Sequence, residues 1–283
     1  MVLEVMGQTM NVDDLAQFFN KHVKTPFTAG TDDHVYKFVG EDGAGVTGAG
    51  EPLLDIEWMK GMAPKVLTEF WLFEGGAPGD FAHWNFCHAL LNWTTTALAD
   101  DDGPLVHSVS YGYQGSIVDS EFHCSPPEVD GIEDNLAKLA AKGVTIVVSS
   151  GDSGSGYAVN ATTGAWSIAP AWPASSPWVT AVGSTRFAHE TVGAAEVAST
   201  YFGGGGGFSV DFDRPGYQDA AVSHYLKKAP RGAKWPPAGS FPESGRATPD
   251  VATLGEGFRV VMAGRDAEND GTSGSAPIFG AIV

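Results

Sequence analysis

A serine in the setting Gly271-Thr272-Ser273-Gly274 stands near the end of the chain, where small residues can open a helix and present a hydroxyl. A serine hydroxyl is a poor nucleophile until a base takes its proton. None of the eight histidines lies in a His-Gly-Thr setting that would supply an imidazole base. The chain offers acids instead. Glu51 and Asp55 are four residues apart in Glu51-Pro-Leu-Leu-Asp55, a spacing that puts both on one face of a helix. Asp152 stands alone among small residues in Ser149-Ser-Gly-Asp-Ser-Gly154. Each signal also has a plainer reading: a solvated acidic face, a turn residue, a run of small residues starting a helix. Together they suggest a serine hydrolase run by carboxylates, with Glu51 as base, Asp55 as its orienting partner and Asp152 as a protonated donor to an oxyanion. An ordinary glutamate ionises near pH 4.3 and an ordinary histidine near 6.5, so a glutamate base suits acidic conditions.

These groups need elements to hold them. Hydrophobic periodicity and helix-end signals predict helices over 11–23, 51–62, 80–99, 128–142 and 215–228. Strands are predicted over 34–39, 65–73, 105–111, 144–149, 177–185 and 258–263. Strands alternating with helices imply βαβ units and a buried parallel sheet in one α/β domain. The candidate residues then fall at strand ends and helix starts, where such sheets carry their sites. The run Gly203 to Gly207 reads as a backbone feature or a flexible loop, not a domain linker.

The chain of 283 residues is 43% hydrophobic and carries a net charge of −18. That balance disfavours nucleic acid and anionic membranes, which attract clustered Lys and Arg. No apolar run is long enough to cross a membrane, and the first residues have no basic segment before an apolar one, so no signal peptide is read there. Cys87 and Cys124 could pair, which the sequence leaves open. Two glycosylation sequons occur, at Asn92 and Asn160.

Ordered motifs along the chain resemble those of the sedolisins, serine-carboxyl peptidases with a subtilisin-like fold, and among them the tripeptidyl-peptidase branch. They are Asp14-Leu-Ala-Gln-Phe18, Glu51-Pro-Leu-Leu-Asp55, Val109-Ser-Tyr-Gly112, Ser150-Gly-Asp-Ser-Gly154, Pro173-Ala-Ser-Ser-Pro177, Gly205-Gly-Gly-Phe-Ser209, Pro249-Asp-Val-Ala252 and Gly271-Thr-Ser273. The resemblance implies a parallel sheet flanked by helices and an acid-acting peptidase that releases tripeptides from free amino termini. It implies Ser273 as nucleophile, Glu51 as base then acid, Asp55 as its support, and Asp152 with a backbone N–H as oxyanion hole. Ser110, Tyr111 and Gly112 would pair with the substrate backbone. A lysosomal, vacuolar or secreted location follows from the same likeness. The family's pro-segment and the first part of its peptidase domain have no counterpart here. Its structural calcium loop would lie beyond Val283, so no metal ligand is assigned. Gly274 stands where the family has alanine, Asp270 where it has serine, and Tyr157 where close relatives have cysteine. Two other readings stay open: an endopeptidase of the same family, or a truncated peptide-binding protein without catalysis.

Overall fold

A computed structural model describes residues 1–76, 84–114, 124–156, 158–159, 164, 166–228, 235–237 and 239–283. The elements run β1 (Val2–Val5), α1 (Val12–His22), β2 (Lys37–Gly40), α2 (Gly50–Met62), β3 (Glu69–Phe73), α3 (Phe86–Ala99), β4 (Val106–Val109), β5 (Tyr113–Gln114), α4 (Pro126–Ala141) and β6 (Thr145–Ser149). There follow β7 (Ala158–Val159), β8 (Trp166–Ser167), β9 (Ala171–Trp172), β10 (Thr180–Phe187), β11 (Glu196–Ala198), β12 (Gly207–Asp213), α5 (Asp219–Lys227), β13 (Gly245–Thr248), β14 (Val251–Leu254), β15 (Phe258–Met262), β16 (Arg265–Asn269) and α6 (Thr272–Ile282).

The main sheet has the order β11-β10-β6-β4-β1-β3-β2, with β14 also paired to β10. All these pairings are parallel except β10 with β11. The α/β expectation holds, and the sheet is covered on both faces. Leu3, Val5, Val109 and Val148 face a core shared with Leu90 and Trp93 of α3 and Leu136 and Leu139 of α4. Val2, Phe70 and Leu72 face the other core, with Leu15, Phe18 and Phe19 of α1 and Leu53, Ile56 and Met59 of α2. The alternation along β1 sends Val2 and Leu3 to opposite cores, and Glu4 therefore shares the α2 face with Val2.

Most predicted elements stand with shorter bounds. The helix expected from residue 80 is described from Phe86, and residues 77–83 lie outside the description. The stretch 215–228 opens as a 3-10 turn, Gly216–Gln218, before α5. Strands β1, β11, β12, β13, β14 and β16, and the two-residue strands β5, β7, β8 and β9, were not anticipated. Most are two to five residues long, too short for periodicity to stand out. Cys87 and Cys124 are bonded, with Cα atoms 5.4 Å apart, tying the start of α3 to the segment before α4. Asn92 is exposed on α3, but Trp93 and Thr94 of its sequon are fully buried, unlike the surface loop that suits a glycan acceptor. The Asn160 sequon and Tyr157 lie outside the described residues.

α2 is buried nearly all round, so it carries acids into the interior on more than one of its sides. Asp55 faces β1 and α6. Glu57 faces α1 and β15, where one carboxylate oxygen accepts from the Val261 N–H at 2.9 Å and the other has no partner. Burial, with a smaller push from Asp14, raises the Glu57 carboxyl to about 9. An unfolded glutamate ionises near 4.5. The folded chain therefore holds a proton that the unfolded chain releases, and stability is lost as pH climbs from about 4.5 to about 9. Glu57→Gln keeps the acceptor for Val261 and removes the ionisation. Thermal melts should show the variant gaining on the parent at pH 8 and differing little at pH 5. Equal shifts at both pH values would show that Glu57 carries no such linkage.

Candidate active site

Ser273 sits in the first turn of α6, directly after Gly271. Gly271 has φ +150, and a Cβ there would meet an Asp152 oxygen at 3.1 Å, so glycine is needed for this approach. The Ser273 hydroxyl donates to the Ser110 carbonyl at 3.4 Å, and the Ser110 hydroxyl donates to the Ser273 carbonyl at 3.1 Å. The Ser273 turn is thus stitched to the carboxyl end of β4.

Glu51 is in the first turn of α2, half-buried and beside the Ser273 side chain. A helix amino terminus favours the ionised carboxylate. Burial opposes it more strongly, and the nearby Asp152 adds repulsion, so the Glu51 carboxyl is pushed up to about 7. Asp55, one turn on, is fully buried. Beyond it lies Glu4 of β1, also fully buried, whose Oε2 accepts from the Tyr111 hydroxyl at 2.6 Å. Burial, reinforced by the neighbouring acids, holds Asp55 and Glu4 well above the usual carboxylate range. Both Asp55 oxygens, Oε1 of Glu51 and Oε1 of Glu4 are buried without a donor. Facing carboxylates cannot satisfy one another, because each only accepts. Protonated acids can, because each then donates one bond. The row Glu4–Asp55–Glu51–Ser273 is therefore a place where shared protons replace missing donors.

Asp152 lies on the loop after β6, exposed at the mouth of the site. Its Oδ1 accepts from both the N–H and the hydroxyl of Thr272 at 2.8 Å, and the Gly151 N–H donates to that same hydroxyl at 3.0 Å. This leaves Oδ2 toward Gly271 and the first turn of α6. The glycine run braces the loop from behind. The Gly205 N–H donates to the Gly151 carbonyl at 2.5 Å, and the Ser150 hydroxyl donates to the Gly205 carbonyl at 2.8 Å. A Cβ on Gly205 would lie 1.8 Å from the Ser150 carbonyl oxygen, so the run is a packing surface and not a loose loop.

A cavity of about 570 Å³ opens beside Ser273, lined by Ser110, Gly112, Gln114, Asp152 and Ser155 among others. Ser110 and Gly112 of the expected substrate-pairing segment line it, whereas the Tyr111 hydroxyl serves Glu4. The structure brings Glu51, Asp55, Asp152 and Ser273 to one place. It adds Glu4 and Thr272, which sequence reasoning missed. The signal for Glu4 was a single acid inside the apolar run Val2-Leu3-Glu4-Val5. Asp270 does not enter the site: its Oδ1 accepts from the Gly257 N–H at 2.6 Å and fixes the turn before β15. Among the described residues, no group of three or more His, Cys, Asp or Glu could hold a metal ion. No step below uses a metal ion.

Gly274 has its own packing reason. A Cβ there would meet the Phe258 ring at 2.0 Å, and Phe258 is buried. Alanine is the better helix former by roughly 0.5–1 kcal/mol, but overpacking costs about 1–3 kcal/mol. Gly274→Ala should therefore lower the melting temperature despite the gain in propensity. A rise would contradict the packing seen here.

No family model matches this sequence. The chain is 36% identical to Bos taurus tripeptidyl-peptidase 1 over 256 residues, covering 88% of this chain and 41% of that protein. It is 34% identical to the Homo sapiens protein over 290 residues, covering 99% of this chain and 46% of the other. The chain thus spans less than half the length of these relatives. Among solved structures, Pseudomonas sedolisin, a serine-carboxyl proteinase, matches with a TM-score of 0.66 at 22% identity, over 99% of this chain and 72% of that one, and shares the fold. Sequence likeness along nearly the whole chain and this common fold agree: the chain belongs to the sedolisin family of serine-carboxyl peptidases, close to tripeptidyl-peptidase 1.

Proposed function

We propose that this site cleaves peptides through an acyl-enzyme on Ser273, acts on the acid side of the pH range, and releases tripeptides from free amino termini. The observation that carries the reading is the buried acid row ending on the Ser273 hydroxyl, with Glu51 as its last member. Glu51 takes the Ser273 proton as the hydroxyl attacks the scissile carbonyl, then gives it to the leaving amine. Water enters by the reverse route and frees the acyl group. Asp55 and Glu4 keep their protons and hold Glu51 in place. Asp152, when protonated, donates to the oxyanion, and a backbone N–H in the first turn of α6 supplies a second donor. The substrate backbone pairs with Ser110 to Gly112 as an added strand. An acidic compartment, such as a lysosome, a vacuole or an acid secretion, suits a fold that must keep these acids protonated.

One requirement shapes the low-pH side of the kcat/KM profile: Glu51 must be ionised to act as base. The lower limb should be displaced upward from the ordinary 4.5 toward about 7, because burial raises Glu51. The site thus moves the expected acid working range toward its mild end. A fluorogenic tripeptide amide assayed from acid to alkaline pH tests this, with Ser273→Ala as the inactive control. Asp152→Ala should cost roughly 10²–10³ in kcat. Asp152→Asn, whose amide can donate a hydrogen bond from the same place, should keep more activity than Asp152→Ala. Activity that survives Ser273→Ala would refute the mechanism. Blocking the substrate's amino terminus separates tripeptide release, which it stops, from endopeptidase cleavage, which it spares. Saturable peptide binding without turnover would mark a non-catalytic binder.

A further inference from the structure

A second and larger cavity, of about 900 Å³, lies on the far side of the glycine run. Gly204 to Gly207 form one wall, and the insert between β12 and β13 supplies aromatic rings to the others. Phe208 and Phe241 stack with centroids 5.1 Å apart, Trp235 continues the stack at 6.5 Å, and Tyr225 meets Trp235 edge-on at 5.4 Å. Tyr225 and Trp235 remain 54% and 41% exposed, so they form an open rim and not a closed core. The wall holds a buried polar group to spare: the Thr248 hydroxyl is without a partner. The cavity's one carboxylate, Asp250, is already engaged by Arg246 at 2.6 Å and by the Ala181 N–H at 2.8 Å. Aromatic faces, with a buried hydroxyl to spare and no unpaired charge among the described residues, suit an apolar side chain next to a peptide backbone.

The position of the cavity narrows its occupant. Ser155 lines both this cavity and the one beside Ser273. Between them stands backbone without side chains: the Gly206 N–H donates to the Gly154 carbonyl at 3.2 Å, two residues from Asp152. Ser110 and Gly112, proposed above to pair with the substrate backbone, line the first cavity and not the second. We propose that the second cavity is a subsite for a large apolar side chain of the peptide substrate, on the leaving-group side of the cleaved bond. This rests on the peptidase reading above and deepens it. A chain that reads the leaving portion selects longer peptides over tripeptide amides.

The test uses peptides with free amino termini, identical except for Phe or Ala at the first, second or third residue after the cleaved bond. At one of these positions Phe should raise kcat/KM roughly tenfold, through KM, and Trp235→Ala or Tyr225→Ala should each remove most of that preference. Equal cleavage of the Phe and Ala peptides, or a preference that survives both substitutions, overturns the subsite. Calorimetric titration of Ser273→Ala with the same peptides makes the test independent of turnover. The Phe peptide should bind about tenfold tighter than the Ala peptide, and the double variant Ser273→Ala/Trp235→Ala, shown to be folded by its melting curve, should lose the difference. If the parent cleaves nothing but the binding difference is present, the peptidase reading fails and the subsite stands. If binding shows no difference, the subsite fails whatever the activity.

Discussion

Several buried acids that cannot all be charged govern this molecule. Glu4, Asp55 and Glu51 converge from β1 and α2 on the start of α6, and four of their oxygens have no donor. Ionising them together would place like charges in a low-dielectric interior, a cost that ordinary packing does not offset. Protons shared along the row relieve both the repulsion and the missing donors. The same protons bear on the chemistry, because the member nearest the surface, Glu51, is the one beside Ser273. Glu57, on the opposite face of the same helix, repeats the constraint where no catalysis occurs. The preference for protonated carboxyls therefore belongs to the fold as well as to the site.

The rest of the architecture serves close approach around that row. The parallel strands β1, β4 and β6 bring Glu4, Ser110 and Asp152 to neighbouring carboxyl ends. Glycine then permits contacts that a Cβ would forbid: Gly271 against Asp152, Gly205 against Ser150, Gly274 against Phe258. α2 and α6 pack directly on each other, which sets Glu51 against the Ser273 turn. Ser273, Glu51 and Asp152 thus come from three elements, and the rigidity of their relation comes from backbone contact more than from side-chain bridges.

Much of this was legible in the sequence. Asp55 follows Glu51 by one helical turn, and Asp152 sits in a glycine turn after an apolar strand, so spacing alone put each on the right element. Glu4 was not legible, because a four-residue strand shows too little alternation, and its partner acids are about fifty residues away. The role of Gly203 to Gly207 needed coordinates as well, since composition cannot separate a flexible glycine loop from one pressed against a carbonyl. Gly274 looked like a weak point by helix propensity, and the Phe258 ring explains it. The second cavity was hidden for a similar reason: its rings are scattered from Phe208 to Phe241 and meet only after β12 and β13 pair.

The central claim is that Glu51, held at the end of the buried acid row, activates Ser273. The most direct measurement is intact-protein mass spectrometry after brief exposure to a tripeptide active ester at mildly acid pH, comparing the parent with Glu51→Gln. The account predicts one acyl adduct that maps to Ser273 in the parent and forms far more slowly in the variant. A folded parent that takes no adduct, or a variant that acylates at the parent's rate, would contradict it.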